Sequence, residues 1–244
     1  GLTYGRLLLR QLRKRGWFTP KPRLIVEVGG GLGYLARELG KELLPFEKQS
    51  MRYISLDITK PFLDLQVRRA KAGGWGGIGT CANGERLPFK DHSVDLVIDN
   101  ENMADMTPVK LTRQELLEGI GDSPQHQEAL DWIRRVRLPL DQSLPEDVIF
   151  NLGPFRFVAE LWRVLKPGGR AFLTEFGIEE GWPAPVKLPG HTEYEVQYSH
   201  LRQAVRWLGF QERYLSLPQF LAIKPDTKVL CTGAAYTIQR FCQA

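Results

Sequence analysis

Apolar runs alternate with amphipathic stretches along most of the chain, which predicts strands connected by helices. Residues 24–28 (Leu-Ile-Val-Glu-Val) are the clearest example, because an apolar run of this kind suits a strand covered on both faces. The predicted strands are residues 24–28, 51–56, 78–82, 94–98, 170–175, 210–217 and one segment within 229–241. Strands that alternate with helical patterns in this way favour an α/β fold with a mostly parallel sheet.

Two segments depart from that alternation. Residues 2–15 set Leu7, Leu8, Leu9 and Leu12 among basic residues, which predicts an amphipathic helix that packs on the sheet edge or covers the mouth of a pocket. Residues 107–150 separate the fourth strand from the fifth and contain predicted helices at 112–117 and 125–136, the first of which begins with a capping-box pattern. An insertion of this length is usually a lid or a substrate-binding element.

The composition indicates a single globular domain. The chain has 244 residues, 43% hydrophobic and 25% charged, so residues 1–244 are expected to form one domain with one sizeable core. The net charge is +5, which is compatible with an anionic partner. The densest basic group consists of Arg6, Arg10, Arg13, Lys14 and Arg15. Spaced along a helix, these side chains favour a solvated face over a nucleic-acid patch.

Cysteine usage and the distribution of apolar residues bear on location. Cys81, Cys231 and Cys242 are far apart and lack metal-ligand spacing, which favours a reducing compartment without disulfides. The apolar runs fall short of the roughly 20 residues needed to span a bilayer, and no signal-peptide pattern opens the chain. We therefore expect a soluble, cytoplasmic protein that does not bind membranes.

A run of glycines follows the first predicted strand. Gly29, Gly31 and Gly33 allow a tight turn whose backbone N–H groups approach a ligand closely, which predicts a nucleotide-like pocket. Glu27 lies near the end of the strand, although acids are almost never fully buried without a partner. We therefore expect Glu27 to face a polar ligand or a backbone donor.

Two polar positions follow the second and third predicted strands. Asp57 can accept hydrogen bonds from both hydroxyls of a ribose, and the alternative is that it caps the helix predicted at residues 62–72. Asn83 and Gly84 begin a polar turn that enters a Leu-Pro-Phe step. An amide and backbone groups at that turn can bind the edge of a purine, and the alternative is an ordinary turn.

Polar clusters also follow the fourth and fifth predicted strands. Asp99 and Glu101 lie at the carboxyl end of the fourth strand, which is where open α/β sheets bind ligands. Residues 191–197 alternate, so a strand there would present one polar face. That face would consist of His191, Glu193, Glu195 and Gln197. It can hold a divalent metal or a catalytic base, and the alternative is a solvent-exposed edge strand.

Five of these segments together resemble the class I S-adenosylmethionine-dependent methyltransferases, and the match runs in order from residue 24 to residue 175. They are residues 27–33 (Glu-Val-Gly-Gly-Gly-Leu-Gly), Asp57, Asn83 ahead of Leu-Pro-Phe, residues 94–98 (Val-Asp-Leu-Val-Ile) and residues 165–170 (Leu-Lys-Pro-Gly-Gly-Arg). The resemblance implies a Rossmann-like, doubly wound, mostly parallel seven-stranded sheet with helices on both faces and a helical insertion after the fourth strand.

The resemblance also implies S-adenosylmethionine as cofactor and gives its binding residues. In that family the glycine turn passes beside the methionine part, the acid after the second strand binds the ribose, and the turn before Leu-Pro-Phe contacts adenine. The implied cofactor-binding residues are Glu27, Gly29, Gly31, Gly33, Asp57, Asn83 and Gly84. Asn83 stands where the family more often has Asp, and an amide can still hydrogen-bond adenine.

An NAD-type dehydrogenase is the rival interpretation, because residues 31–36 also fit the dinucleotide fingerprint. A dinucleotide needs a pyrophosphate on the helix N-terminus, which Glu27 would disfavour. The ammonium group of the methyl donor, by contrast, suits that acid. The Leu-Pro-Phe step and residues 166–169 (Lys-Pro-Gly-Gly) favour the methyltransferase further.

We expect methyl transfer to a small molecule enclosed by residues 107–150 and 177–190. For an acceptor that carries a proton, the candidate bases are His191, Glu101 and Asp99, in that order, and the alternative role of the two acids is hydrogen bonding within their loop. A metal-assisted mechanism with these acids and His191 is a minor hypothesis, and no metal is assigned. RNA or protein methylation, and a non-catalytic cofactor-binding or scaffold role, stay open as alternatives.

Overall fold

The computed structural model describes residues 3–18, 23–140 and 144–223, together with the backbone of residues 234–240. The strands are β1 (Arg23–Val28), β2 (Met51–Asp57), β3 (Ile78–Cys81), β4 (Val94–Asn100), β5 (Val109–Thr112), β6 (Asp147–Phe150), β7 (Leu165–Glu175), β8 (Gly177–Ile178), β9 (Pro185–Leu188), β10 (His191–Tyr194), β11 (Val196–Gln197), β12 (Phe210–Ser216) and β13 (Ala234–Arg240). The helices are α1 (Tyr4–Lys14), α2 (Tyr34–Glu42), α3 (Pro45–Ser50), α4 (Lys60–Ala72), α5 (Arg113–Glu118), α6 (Pro124–Val136), α7 (Leu152–Val164), α8 (Tyr198–Trp207) and α9 (Leu217–Leu221), with a short 3-10 helix at Met103–Asp105.

The central sheet has seven strands in the order β12-β13-β7-β4-β1-β2-β3. The pairs from β3 to β7 are parallel, whereas β13 is antiparallel to both β7 and β12. The predicted α/β class with a mostly parallel seven-stranded sheet is therefore confirmed. After β1 the chain builds the sheet in one direction through β2 and β3 and then returns to place β4 on the other side. The glycine turn after β1 thus lies at the topological switch point, where such sheets bind ligands.

The sheet is covered by helices on both faces, which explains the unbroken apolar run of β1. Successive residues of a strand face opposite sides. Accordingly, Ile25 and Phe172 pack in the layer of α1, α2 and α9, and Val26 and Ala171 pack in the layer of α6, α7 and α8. All four side chains are fully buried. The two cores fix the sheet between rigid layers and so position the loops at its carboxyl edge.

The predicted N-terminal helix is confirmed as α1, and its leucines at positions 8, 9 and 12 are buried. Its basic side chains contact acids of the neighbouring helices, as Arg6 Nε does with Glu42 Oε2 at 3.0 Å and Arg13 does with Glu47. The Arg6–Glu42 pair is exposed and stabilises the fold only weakly, whereas Glu47 is 7% exposed, so its pair with Arg13 is partly shielded from solvent. Leu2, Cys231 and Cys242, which the sequence analysis used, lie outside the described residues.

Residues 107–150 contain the two predicted helices and, in addition, a short two-stranded sheet that the sequence did not predict. α5 and α6 occur where the sequence predicts them, and α5 has the expected capping box between Thr112 and Glu115. However, β5 and β6 pair antiparallel and join Val109 to Phe150 at the base of the insertion. Each of these strands has four residues, which is too short for alternation to reveal.

Residues 191–197 do not form one strand, which corrects the prediction of a single polar face. β10 ends at Tyr194, and Glu195 bonds to Ala184 instead: its N–H donates to the Ala184 carbonyl and its Oε2 accepts from the Ala184 N–H, both at 3.2 Å. The Gln197 side chain is buried and donates to the carbonyls of residues 179 and 181. Of the four predicted side chains, the face keeps His191 and Glu193.

Within the part of the chain that the structure describes, every helix is too short or too polar to cross a membrane.

Candidate active site

The glycine turn after β1 is packed between the loop after β4 and helix α4. Gly29 has φ +60°, and a Cβ there would overlap Oδ1 of Asn102. Gly33 has φ +75°, and a Cβ there would lie 2.7 Å from the Cα of Gln66. Both positions combine a left-handed backbone with a close neighbour, so a side chain would be strained at either one. Contacts within the protein are therefore enough to require glycine at both positions, whether or not a ligand binds there.

Glu27 is buried directly beneath this turn, with 1% of its surface exposed. Neither carboxylate oxygen has a hydrogen-bond partner among the described residues. Burial raises the pKa of Glu27 to about 7, an effect that the nearby Tyr53 hydroxyl partly opposes. A buried carboxylate without a donor costs free energy, so the site is suited to a ligand group that brings N–H donors or a positive charge.

Two cavities meet at Gly29. The smaller one, of about 290 Å³, is lined by Glu27, the glycine turn and the end of β4. The larger one, of about 400 Å³, is lined by residues 28–29, 56–58, 82–85, 102 and 105–108. The larger cavity thus brings together Asp57, Asn83 and Gly84, which the sequence predicted as cofactor-binding residues from two separate segments.

The carboxylate of Asp57 is held in place by residues that follow it closely in the chain. Thr59 donates its N–H and its hydroxyl to Oδ1 at 2.8 and 2.9 Å, and Gln66 Nε2 donates to Oδ2 at 2.6 Å. The N-cap of α4 is Thr59, so the alternative that Asp57 itself caps this helix is wrong. A carboxylate can accept about four hydrogen bonds, which leaves capacity for a ligand hydroxyl.

The turn at Asn83 is both a turn and part of the cavity wall. Asn83 Oδ1 accepts from the Glu85 N–H at 2.8 Å, as the ordinary-turn alternative expects. Glu85 in turn accepts from the N–H and hydroxyl of Thr107 at 2.8 and 2.7 Å, and from Arg156 at 3.0 Å. These bonds attach the start of the insertion to the cavity wall.

Strand β4 delivers Asp99 and Glu101 to the same edge of the sheet, but in different environments. Asp99 is fully buried, and burial raises its pKa to about 7. Its Oδ2 accepts from Asn102 Nδ2 at 2.8 Å, and its Oδ1 has no partner among the described residues. Glu101 is exposed, has φ +55° and lines the smaller cavity. A non-glycine residue in this conformation is uncommon, and such residues cluster at functional sites.

Helix α1 reaches the smaller cavity through Tyr4. Its hydroxyl donates to Asn100 Oδ1 at 2.5 Å, and the Thr174 hydroxyl donates to the same oxygen at 3.1 Å. Tyr4 and Asn100 both line the cavity. Of the two placements expected for this helix, the contacts of Tyr4 fit the one at the pocket mouth.

His191 lies next to the loop that follows β4. Its Nε2 is 2.9 Å from Glu193 Oε1 and 3.7 Å from Asp105 Oδ1. The hydrogen bond with Glu193 is the main reason that the pKa of His191 is raised. Asp105 lines the larger cavity. His191 is therefore separated from the cavity by one side chain, whereas Glu195 and Asp99 are not part of this cluster.

Three residues that the sequence analysis missed hold the site together. Gln66 Nε2 donates to the Gly31 carbonyl at 3.0 Å as well as to Asp57, and nothing in its sequence context signals this role. Asn102 packs on Gly29. Glu175 is fully buried, and burial raises its pKa to about 8. It accepts from the Ala104 N–H at 2.9 Å and so fixes the loop after β4. Its place at the end of the fifth sheet strand was a usable signal.

The chain is similar in sequence to known proteins. Residues 26–117 match a family model described as a methyltransferase domain. The chain is also 23% identical over 194 residues to the biotin biosynthesis bifunctional protein BioHC of Cellvibrio japonicus. The match covers 77% of this chain and 27% of that protein, so the chain spans about a quarter of the length of the curated relative.

Solved structures share the fold. The [4+2]-cyclase SpnF has a TM-score of 0.59 and 16% identity, with 97% of this chain and 81% of that one covered. An S-adenosylmethionine-dependent methyltransferase from Methanosarcina mazei has a TM-score of 0.55 and 16% identity, with coverages of 95% and 98%. The protein PH0226 from Pyrococcus horikoshii has a TM-score of 0.56 and 11% identity, with coverages of 99% and 93%.

Proposed function

Because the chain belongs to the class I S-adenosylmethionine-dependent methyltransferases, with S-adenosylmethionine as cofactor, we propose that it methylates a small-molecule acceptor. The proposal rests on one observation: two adjoining cavities each contain an acid, and the two acids have different hydrogen-bonding environments. Glu27 in the smaller cavity is buried without a donor, and Asp57 in the larger one is fixed by Thr59 and Gln66. One acid suits an ammonium group and the other suits ribose hydroxyls.

We assign the cofactor accordingly. Glu27 and the glycine turn, with Gly29, Gly31 and Gly33, would hold the methionine part. Asp57 would hold the ribose. Asn83 and Gly84 would contact adenine. When bound, S-adenosylmethionine supplies a methyl group already activated by a sulfonium, so the protein has to position the acceptor, exclude water and, for some acceptors, remove a proton.

Proton removal is the task for which the candidate bases differ. Glu101 lines the smaller cavity, beside the glycine turn, and His191 lies beyond Asp105. We keep both as candidates, and Glu101 is the one that lines the cavity assigned to the methionine part, which carries the methyl group. Asp99 is fully buried and bonded to Asn102, so positioning the loop after β4 fits its contacts better than acting as a base.

The choice of a small-molecule acceptor rests on the attachment of the insertion beside the site and on the relatives. The insertion is attached to the cavity through Glu85, which favours a compact acceptor over a long polymer. The similar proteins include a biotin biosynthesis protein and a [4+2]-cyclase, both of which concern small molecules. Cysteine usage supports a cytoplasmic location.

Calorimetric titration with S-adenosylmethionine tests the cofactor assignment. We expect Asp57→Ala to weaken binding by about 1–3 kcal/mol, because charge-assisted hydrogen bonds to the ribose are lost. Asp64→Ala is the matched control, since Asp64 lies on α4 and pairs with Lys60 at the surface. Unchanged affinity in Asp57→Ala would contradict the ribose assignment, and no binding to the unaltered protein would contradict the proposed function.

A second measurement tests the acceptor class. The protein is incubated with methyl-labelled S-adenosylmethionine and a cell extract separated into small molecules, RNA and protein. We expect label in the small-molecule fraction. Label found only in RNA or only in protein would contradict a small-molecule acceptor and would identify that polymer as the acceptor. Cofactor binding without methyl transfer to any of the three fractions would favour a non-catalytic role.

A further inference from the structure

The 3-10 helix after β4 and the strand β10 bring three metal-ligating side chains together. Asp105 ends the 3-10 helix, and His191 and Glu193 lie on the same face of β10 because they are two residues apart. Their ligand atoms all lie within 4.8 Å of one another. Among the described residues this is the one group of three or more His, Cys, Asp or Glu side chains with that spacing.

The spacing of these atoms is close to that of a metal-bound set. Two ligands bound at about 2.1 Å to one ion, with about 90 to 110° between them, lie about 3.0 to 3.4 Å apart. His191 Nε2 is 2.9 Å from Glu193 Oε1 and 3.7 Å from Asp105 Oδ1. Changes of a few tenths of an ångström would therefore give both contacts the spacing of a coordinated set.

The surroundings of His191 support a ligand role. The backbone of Pro189 accepts a further hydrogen bond from the imidazole. Both carboxylates face the Nε2 atom of the imidazole. Histidines that bind metals usually donate their second N–H to a carbonyl or carboxylate, which fixes the ring. The ring is thus oriented with one nitrogen toward the two carboxylates.

The position of the group relates it to the larger cavity. Asp105 lines that cavity, together with Gly29, Asp57 and Asn102. The side chains of Asp105 and His191 are about half exposed, at 51% and 49%. An ion held by three protein ligands at such a site keeps coordination positions open for water or for a second molecule.

We propose that Asp105, His191 and Glu193 bind a divalent first-row transition metal, such as Mn²⁺ or Zn²⁺, at the rim of the larger cavity. One imidazole with two carboxylates suits these ions better than Ca²⁺ or Mg²⁺, which favour oxygen ligands alone. The site itself stands independently of the methyl-transfer chemistry. Its consequence for catalysis rests on the proposed function: with His191 bound to the ion, Glu101 would be the remaining candidate base.

Titration with Mn²⁺ tests the site directly, with free Mn²⁺ followed by its electron paramagnetic resonance signal. We expect saturable binding of one ion to the unaltered protein, and binding weaker by about tenfold or more in His191→Gln, Asp105→Asn and Glu193→Gln. His126→Gln is the matched control, because His126 also contacts a carboxylate, that of Glu115, but lacks a second one. Its affinity for Mn²⁺ should equal that of the unaltered protein.

Two outcomes would overturn the proposal: no Mn²⁺ or Zn²⁺ binding at millimolar concentration, or equal binding in all four variants. Circular dichroism establishes that each variant is folded. Calorimetry with S-adenosylmethionine in the presence of a chelator separates the two proposals. Cofactor binding without metal binding would remove the metal site and leave the proposed function standing, and metal binding without cofactor binding would do the reverse.

Discussion

The two sides of the candidate site are built in different ways. On the cofactor side, Asp57 is held by Thr59, which is two residues further along the chain. On the side of the insertion, Asp105 meets His191 only because β10 returns to the loop after β4. Short-range contacts give a motif that the sequence displays, whereas contacts between distant segments exist only in the fold. The cofactor was therefore predictable, and the contact between Asp105 and His191 was not.

The largest expected effect is on stability, and it tests whether the insertion at residues 107–150 is part of the hydrophobic core. Trp132 of α6 is 6% exposed and packs edge-on against Phe155 of α7, with ring centroids 5.6 Å apart. Trp132→Ala should lower the free energy of unfolding by about 3–5 kcal/mol, measured by chemical denaturation. Leu117→Ala is the control in the same insertion, because Leu117 is 63% exposed, and it should change stability by less than about 0.5 kcal/mol.

If Trp132→Ala lowers the free energy of unfolding by less than about 1 kcal/mol, the insertion is not part of the core. The insertion would then behave as a separate lid over the site, which is one of the two roles expected from the sequence.

A smaller effect is expected on the cofactor side, at Gly33. Gly33→Ala adds left-handed strain of about 1–2 kcal/mol and a clash with Gln66 of about 1–3 kcal/mol. We expect a loss of about 2–4 kcal/mol in the free energy of unfolding, from the same denaturation measurement. Gly16→Ala isolates the strain, because Gly16 has φ +69° and a Cβ there would meet nothing within 4 Å. Equal losses in the two variants would show that α2 and α4 tolerate a side chain between them.

The smallest effect concerns the pH dependence of cofactor binding through Glu27. Only the ionised carboxylate attracts an ammonium group, and with a pKa of about 7 its ionised fraction rises steeply above pH 6. Affinity for S-adenosylmethionine should therefore rise by up to about eightfold between pH 6 and 7.5, and Glu27→Gln should abolish that rise. A rise that persists in Glu27→Gln would assign the dependence to another group, such as Asp99.

The folding free energy has the opposite dependence on this group. The folded pKa of Glu27 lies above its value in the unfolded chain, so the folded state binds the proton more tightly. The free energy of unfolding therefore falls as pH rises from about 4.5 to 7. Under the proposed assignment, bound cofactor would offset that loss, because its ammonium group would supply a donor to Glu27.

The sequence was sufficient for the sheet because each strand carries its own signal. Ile25 and Val26 face different helical layers, and a run that is apolar at both positions records this burial. The capping box at Thr112 and Glu115 was visible for the same reason, since both partners lie within one turn of helix. By contrast, β5 and β6 pair across the whole insertion, and no local pattern specifies that pairing.

The alternation in residues 191–197 predicted a longer strand than the fold allows. The alternation is real, but Glu195 bonds to Ala184 and ends the strand. Polar alternation can arise from an exposed strand or from side chains with separate partners, and the tertiary contacts decide between the two. His191 and Glu193 lie on a strand, whereas Glu195 and Gln197 have separate hydrogen-bond partners.

The amide of Gln66 has an evolutionary consequence. Its Nε2 carries two hydrogens and donates to both the Gly31 carbonyl and Asp57, so neither acceptor keeps its donor if residue 66 changes to a shorter or acidic side chain. Gly33 also packs against the backbone at this position. Substitutions at positions 33, 57 and 66 are therefore coupled, and among natural homologues these positions should vary together.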